Sequence, residues 1–155
     1  MLKIYNLKEK QNYIKEVAIL TQKEWGEKNL NNKDLEEKIN NKVEKIILNL
    51  DDPNYCKLLL LDDETLVGFI SIFPQDGEER KDLSPWYATM YVKKEYRGKG
   101  YSKILNDAIL KEARKRKIKR LYLKTELNNY YEKFGAKYIE KLKNGEKLLC
   151  FDLYN

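Results

Sequence analysis

The sequence predicts a mixed α/β domain with the element order β-α-α-β-β-β-α-β-α-β-β. Three observations carry that expectation: apolar residues at helical spacing in two early segments, a later change to short β-rich runs, and a glycine loop standing between a strand and a helix. A chain of 155 residues matches the size of one domain and at that length can bury roughly 70% of the surface its unfolded form exposes. With no internal repeat and no Pro/Gly/Ser linker, residues 1–155 read as a single domain.

Leu2, Ile4 and Leu7 among polar neighbours suggest an opening strand. A helix follows, carrying Ile14, Val17, Ala18 and then Thr21 to Trp25. A second helix begins near Asn32 to Asp34, residue types that cap helix starts, and shows Leu35, Ile39, Val43, Ile46 and Leu50 on one face until Pro53 stops it. Tyr55 to Leu61 and Leu66 to Phe73 are apolar runs separated by Asp62-Asp63-Glu64-Thr65, which reads as a hairpin with Gly68 as a bulge position. A polar loop from Pro74 to Pro85 leads to a strand over Trp86 to Val92. Arg97-Gly98-Lys99-Gly100 then opens a helix with Ile104, Leu105, Ala108, Ile109 and Ala113 on one face. Leu121 to Leu123 is a strand, Asn128 to Phe134 a short helix stopped by Gly135, and Lys137 to Leu142 with Leu148 to Leu153 a hairpin around Asn144-Gly145.

The chain has no histidine, which excludes Ser-His-Asp and Cys-His nucleophile pairs, HExxH zinc sites and any imidazole base. Cys56 and Cys150 sit in apolar runs without a CxxC pattern, so both read as reduced, buried hydrophobes, and no metal site is expected. No apolar stretch approaches the roughly 18 residues of a membrane span, and the segment MLKIYNLKEKQ lacks the apolar block of a secretory signal, so a cytoplasmic location is expected. The formal net charge of +6 is concentrated: Tyr91 to Lys124 holds 13 basic against 3 acidic residues, leaving the rest of the chain acidic. A local excess of that kind suits an anionic ligand.

The glycine loop is where such a ligand fits. The first turn of a helix has unpaired N–H groups and the positive end of the helix dipole, and glycines let a phosphate approach the backbone. Gly98 and Gly100 supply the approach, while Arg97, Lys99 and Lys103 add charge. The Walker A spacing is absent, and GxGxxG fails because Lys103 stands at its third glycine, so neither ATP nor NAD is indicated.

Met90-Tyr91-Val92 followed by Arg97-Gly98-Lys99-Gly100-Tyr101-Ser102 resembles the cofactor loop of the GNAT superfamily, Arg/Gln-x-x-Gly-x-Gly/Ala after a strand ending apolar-x-Val, with Ser102 as a departure. Tyr130 to Ala136 resembles a second segment of that family, Leu-Tyr-Glu-Lys-Leu-Gly-Phe, and the likeness runs from Leu2 to Leu153. The stretch from Asp82-Leu83-Ser84-Pro85-Trp86 to Tyr91-Val92 looks like a bacterial branch with Pro-Trp before the cofactor strand, and Trp25-Gly26 fits the first helix of that branch.

The resemblance implies a mixed, mostly antiparallel central sheet flanked by helices and an acetyl-CoA-dependent N-acetyltransferase acting directly on a primary amine. Acetyl-CoA would be bound by Met90, Tyr91, Val92, Arg97, Gly98, Lys99, Gly100, Tyr101, Ser102 and Lys103. A backbone donor at Met90 to Val92 would serve the thioester carbonyl, and Tyr131 would protonate the departing thiolate. Lys124 stands where relatives often carry an acid, which makes Glu126 the nearest carboxylate for a base, with Asp82, Glu79 or a water relay as alternatives. Trp86, Trp25 and Asp82 are the residues expected to meet the acceptor, a small molecule or a protein amine. A homodimer is compatible with all of this. Two rivals remain: a catalytically silent acetyl-CoA-binding module, and a nucleic-acid-binding domain built on Lys111 to Arg120, disfavoured because those cations crowd a helix end where they complement the dipole.

Overall fold

The computed structural model describes residues 1–154. Its elements are β1 (Leu2–Asn6), α1 (Ile14–Trp25), α2 (Asn32–Asn49), β2 (Cys56–Asp62), β3 (Thr65–Phe73), β4 (Trp86–Val92), α3 (Tyr101–Lys115), β5 (Arg120–Thr125), β6 (Lys137–Lys141) and β7 (Lys147–Asp152), with short 3-10 turns between β1 and α1, β4 and α3, and β5 and β6. The strands form one seven-stranded sheet in the order β1-β2-β3-β4-β5-β7-β6. Every neighbouring pair is antiparallel except β4 with β5. The architecture is therefore the mixed, mostly antiparallel sheet flanked by helices that the family resemblance implied.

Side-chain alternation along β2 sorts the core into two layers, because successive strand residues face opposite sides of a sheet. Leu58 and Leu60 join Leu105, Ile109 and Ala113 of α3, together with Leu121, Leu123, Leu149 and Phe151. Leu59 and Leu61 join Val17 and Ala18 of α1 and Ile46 of α2. Each fully buried leucine contributes about 1.5–3 kcal/mol of transfer free energy. Helix α2 starts where Asn31 accepts a hydrogen bond from the Asp34 N–H at 2.8 Å, one residue earlier than the caps read from the sequence.

Two strand irregularities shape the centre of the sheet. At β2–β3 the register shifts between Leu60 and Leu61, beside Gly68. A Cβ on Gly68 would strike the carbonyl oxygen of Tyr91 and lie 3.2 Å from Val92 Cα, so the bare backbone lets β4 lie close. At β3–β4, Phe69 faces Tyr91 while Ser71 faces Ala88, which leaves one extra residue in β4; Thr89, with φ of 49°, absorbs it. On its other side β4 pairs β5 at one register position, Trp86 with Tyr122. Beyond that rung the two parallel strands part.

The helix expected over Asn128 to Phe134 is shorter: only Tyr131–Phe134 forms a single 3-10 turn. Asn129 takes a left-handed conformation (φ 57°), which cannot propagate a right-handed helix, and Gly135 (φ 103°) ends the turn.

Candidate active site in the cleft beside β4

Strand β4 runs into a loop whose geometry prepares α3 to receive an anion. Gly98 and Gly100 both hold left-handed backbone, at φ of 78° and 81°, and the space where a Cβ would stand is open at each. Gly100 caps α3 with no side-chain hydrogen bond, so the first-turn N–H groups keep their donor capacity for a ligand. Arg97 is anchored across the loop: its Nε donates to the Val92 carbonyl at 2.8 Å and its guanidinium lies 5.6 Å from the Tyr91 ring centroid. Lys99 lies over the Tyr96 ring at 5.7 Å. The neighbouring cations are partly committed, Lys103 to Asp107 at 2.7 Å and Lys93 to Glu16 at 2.9 Å.

The parting of β4 from β5 opens a cavity of about 470 Å³ that joins this loop to the strand end. Of the ten residues assigned from the sequence to the cofactor, Met90, Tyr91, Val92, Arg97, Gly98, Gly100, Tyr101 and Ser102 line it; Lys99 and Lys103 do not. Tyr131 forms part of the opposite wall with Tyr130 and Leu127. Its ring meets Tyr87 edge-on at 5.6 Å and Tyr130 at 4.8 Å. Tyr87 is itself pinned, donating its hydroxyl to Asn106 Oδ1 at 2.8 Å within the core. Burial, and secondarily Tyr130, push the Tyr131 phenol up to about 12, so at neutral pH it carries its proton.

The other residues singled out from the sequence are dispersed. Glu126 is exposed in the loop after β5, next to Leu127. Trp25 is 49% exposed at the end of α1, with its ring 6.2 Å from that of Tyr91. Trp86 is 1% exposed: its indole N–H donates to the Leu83 carbonyl at 2.9 Å, and its ring packs with Leu142 and Leu148 while bordering a 180 Å³ hollow. Asp82 is exposed and bound to Arg80 at 2.8 Å, which holds its carboxyl below the ordinary range. Lys124 faces Asp76 at 3.8 Å.

The sequence reading passed over a second cavity, about 310 Å³, on the α1/α2 side of the sheet. Its walls include Thr21 of α1, Lys42 and Lys45 of α2, Tyr55 and Lys57 before and within β2, Phe73 of β3, and Thr89 of β4. Lys57 is 3% exposed. Its ammonium sits 5.1 Å from the ring centroids of both Phe69 and Phe73 and 3.5 Å from Thr89 Oγ1, which in turn is 2.6 Å from Ser71 Oγ. Burial lowers the Lys57 amine to about 7. The available signal was a lysine at the start of Cys56-Lys57-Leu58-Leu59-Leu60-Leu61, where a period of two puts it on the same face as Leu59 and Leu61.

Comparison with known proteins accords with this geometry. The chain is 33% identical over 97 residues to the spermine/spermidine N(1)-acetyltransferase of Bacillus subtilis (strain 168), a match covering 57% of this chain and 64% of that protein. The chain thus aligns with less than two thirds of that relative's length. In fold it matches the PaiA N-acetyltransferase of Thermoplasma acidophilum solved with coenzyme A (TM-score 0.68, 22% identity, 98% of this chain and 99% of the other). It also matches an aminoglycoside 6'-N-acetyltransferase complexed with coenzyme A (TM-score 0.72, 19% identity, 99% and 98%). The model of the acetyltransferase (GNAT) family aligns with residues 13–136, most of the chain. The loop geometry, the parted strands and that alignment converge: this chain belongs to the GNAT acetyltransferase family.

Proposed function

We propose that this chain is a single-domain N-acetyltransferase that uses acetyl-CoA to acetylate a primary amine. The observation that carries the reading is the joining, in one cavity, of the uncapped N-terminus of α3 with the free edge of β4. The first tests the fit of a diphosphate: Gly98 and Gly100 leave room for a phosphate, and the first-turn N–H groups supply donors. Relatives named for spermine, spermidine and aminoglycosides support an amine as acceptor.

When bound, acetyl-CoA supplies an acetyl group as a thioester, and the overall reaction exchanges its C–S bond for an amide C–N bond while one proton leaves the amine and one reaches the sulfur. The backbone from Gly98 to Ser102 would bind the diphosphate. The edge of β4 at Met90 to Val92 would offer N–H groups to the thioester carbonyl, where donors positioned in advance gain most as charge develops. Tyr131 holds its proton across the neutral range and would donate it towards sulfur. For the acceptor's proton, Glu24 borders the cavity and Glu126 adjoins its wall, a route by carboxylate and water. No helix among the described residues is long and apolar enough to cross a membrane, and we place the enzyme in the cytoplasm. Within Lys111 to Arg120, the segment on which a nucleic-acid reading would rest, Arg116 is spent on Glu112 and on the carbonyls of Pro53 and Tyr55.

The test is a pair of measurements. Acetyl-CoA at a hundredfold excess over its dissociation constant should stabilise the fold by about 2.7 kcal/mol, and a panel of primary amines should release free CoA thiol. A melting curve unmoved by millimolar acetyl-CoA and by CoA overturns the reading. Stabilisation without thiol release from any amine leaves a silent binding module.

A further inference from the structure

We propose that the cavity beneath α1 and α2 recognises an anionic group, so that the amine acetylated by this enzyme belongs to a molecule carrying a carboxylate or phosphate on an apolar body, and not to a polyamine. The proposal rests on the acetyltransfer reading above and names its acceptor class.

Charge is the first reason. Lys42, Lys45 and Lys57 all line this cavity and no Asp or Glu does. Among the described residues none of the three lies within ion-pair distance of a carboxylate. Lys57 is the decisive member. An amine buried to 3% exposure, with two aromatic faces and one distant hydroxyl for company, lacks the counter-charge that buried cations ordinarily have. An anion entering from the mouth would supply it. Lys42 is already pressed towards its neutral form by burial and then by Lys45 and Lys38, so a further cation here meets repulsion.

Shape is the second reason. Tyr55 and Phe73 stack at 5.7 Å and, with Ile46 and Ala18, give the cavity an apolar wall, while Thr21, Asn49 and Gln75 add a few neutral polar groups. That balance, a mainly apolar lining with few directing groups, is typical of small-molecule sites. Position is the third. Thr89 borders this cavity and the adjacent Met90 borders the cofactor cavity, so the bulge in β4 is the partition between them. A molecule anchored by its anion at Lys57 would extend its amine towards that partition.

The other place where a polycation could settle is the hollow beside Trp86, where acids gather. Most of its acids are engaged: Asp76 faces Lys124, Glu78 pairs with Lys81, and Arg80 in the same hollow is bound by Asp82 and Glu140, while Glu79 accepts from the Lys143 backbone N–H. Lysines without counter-ions in the one cavity, against acids mostly engaged by cations in the other, favour an anionic acceptor.

Matched pairs test this by two readouts. L-phenylalanine against phenethylamine and L-leucine against 3-methylbutylamine represent the carboxylate; O-phosphoethanolamine against ethanolamine represents phosphate; spermidine is the polycation. Binding is followed by calorimetry, which needs no turnover, and acetylation by CoA release under saturating acetyl-CoA. In at least one pair the anionic member should bind and react tenfold or more better than its neutral-tailed partner and than spermidine, and whichever anion leads identifies the group. Its binding at pH 8 should take up a proton, seen as a heat that varies with buffer ionisation enthalpy. Lys57→Met should abolish both the preference and the proton uptake, and Lys42→Met, at a half-buried position, should lower the preference severalfold in a chain whose melting is unchanged. Decarboxylated amines or spermidine that bind as well as the anionic compounds overturn the proposal, even if acetylation proceeds. Absence of any acetyl-CoA effect overturns the acetyltransfer reading instead, while the calorimetric arm still judges the anion site.

Discussion

The cavity at the head of α3 offers its anion-binding donors from backbone, whereas the cavity beneath α1 and α2 offers them from side chains. In the first, left-handed glycines and an uncapped helix start present N–H groups, and the nearby lysines are paired or stand apart from the lining. In the second, the lining groups are the side chains of Lys57, Thr89 and the stacked Tyr55 and Phe73. The contrast teaches how one sheet can hold two ligand chemistries. A backbone-built site tolerates side-chain change so long as φ and ψ survive, while a side-chain-built site alters its preference with a single residue.

The largest effect should come where a side chain acts inside the backbone-built cavity. Tyr131→Phe keeps the ring against Tyr87 and Tyr130 but removes the proton, so turnover should fall roughly ten- to a thousandfold with acetyl-CoA affinity and melting nearly unchanged. CoA release across pH checks it, with Tyr130→Phe as control; equal activity of Tyr131→Phe and the parent removes this hydroxyl from the chemistry.

The second effect belongs to the side-chain-built cavity and concerns stability. Lys57 has its amine lowered to about 7 from an ordinary 10.5. Between those values the unfolded chain holds a proton that the folded chain has released, so stability rises with pH across that window, and the burden is full below it. Lys57→Met should therefore stabilise the protein by about 2–4 kcal/mol at pH 7. The gain should shrink towards pH 10.5. Denaturant melts at pH 7 and pH 10 decide; a gain that does not change with pH would mean that lost packing strain, not charge, was relieved.

The smallest effects sharpen the account of the loop. Gly100→Ala meets no protein atom but must hold φ at 81°, so acetyl-CoA affinity should drop about tenfold, reflecting about 1–2 kcal/mol of left-handed strain. Lys99→Ala, whose side chain is exposed and outside the lining, should cost only about twofold. Titration calorimetry on both compares them, and the reverse order would make the loop a charge site and not a backbone cradle.

The parts of this molecule that could be read from sequence are those whose physics is local. The amphipathic stripes of α1 and α2, the Asn144-Gly145 hairpin and the Arg97 to Gly100 loop each follow from a few adjacent residues. Asn128 to Phe134 misled because the Gly135 stop marks only the end of the segment, while the left-handed Asn129 cuts it short from within. Lys57 escaped notice for a different reason: its meaning depends on rings from β3 and hydroxyls from β3 and β4, which no window of sequence contains. The parting of β4 from β5 is non-local in the same way, since a strand's composition does not say where its neighbour leaves it.

That single rung between β4 and β5 divides the sheet mechanically. Strands β1 to β4 form one hydrogen-bonded ribbon and β5, β7 and β6 another, held together at Trp86 and Tyr122 and by leucine packing under α3. Amides of the two ribbons have separate routes to exchange with solvent, because each can open without breaking the ladder of the other. A ligand lying across the gap would act as a crosspiece, tying two units that breathe independently into one that melts together. Occupancy of that gap would then be readable as a rise in the cooperativity of unfolding as well as in its midpoint.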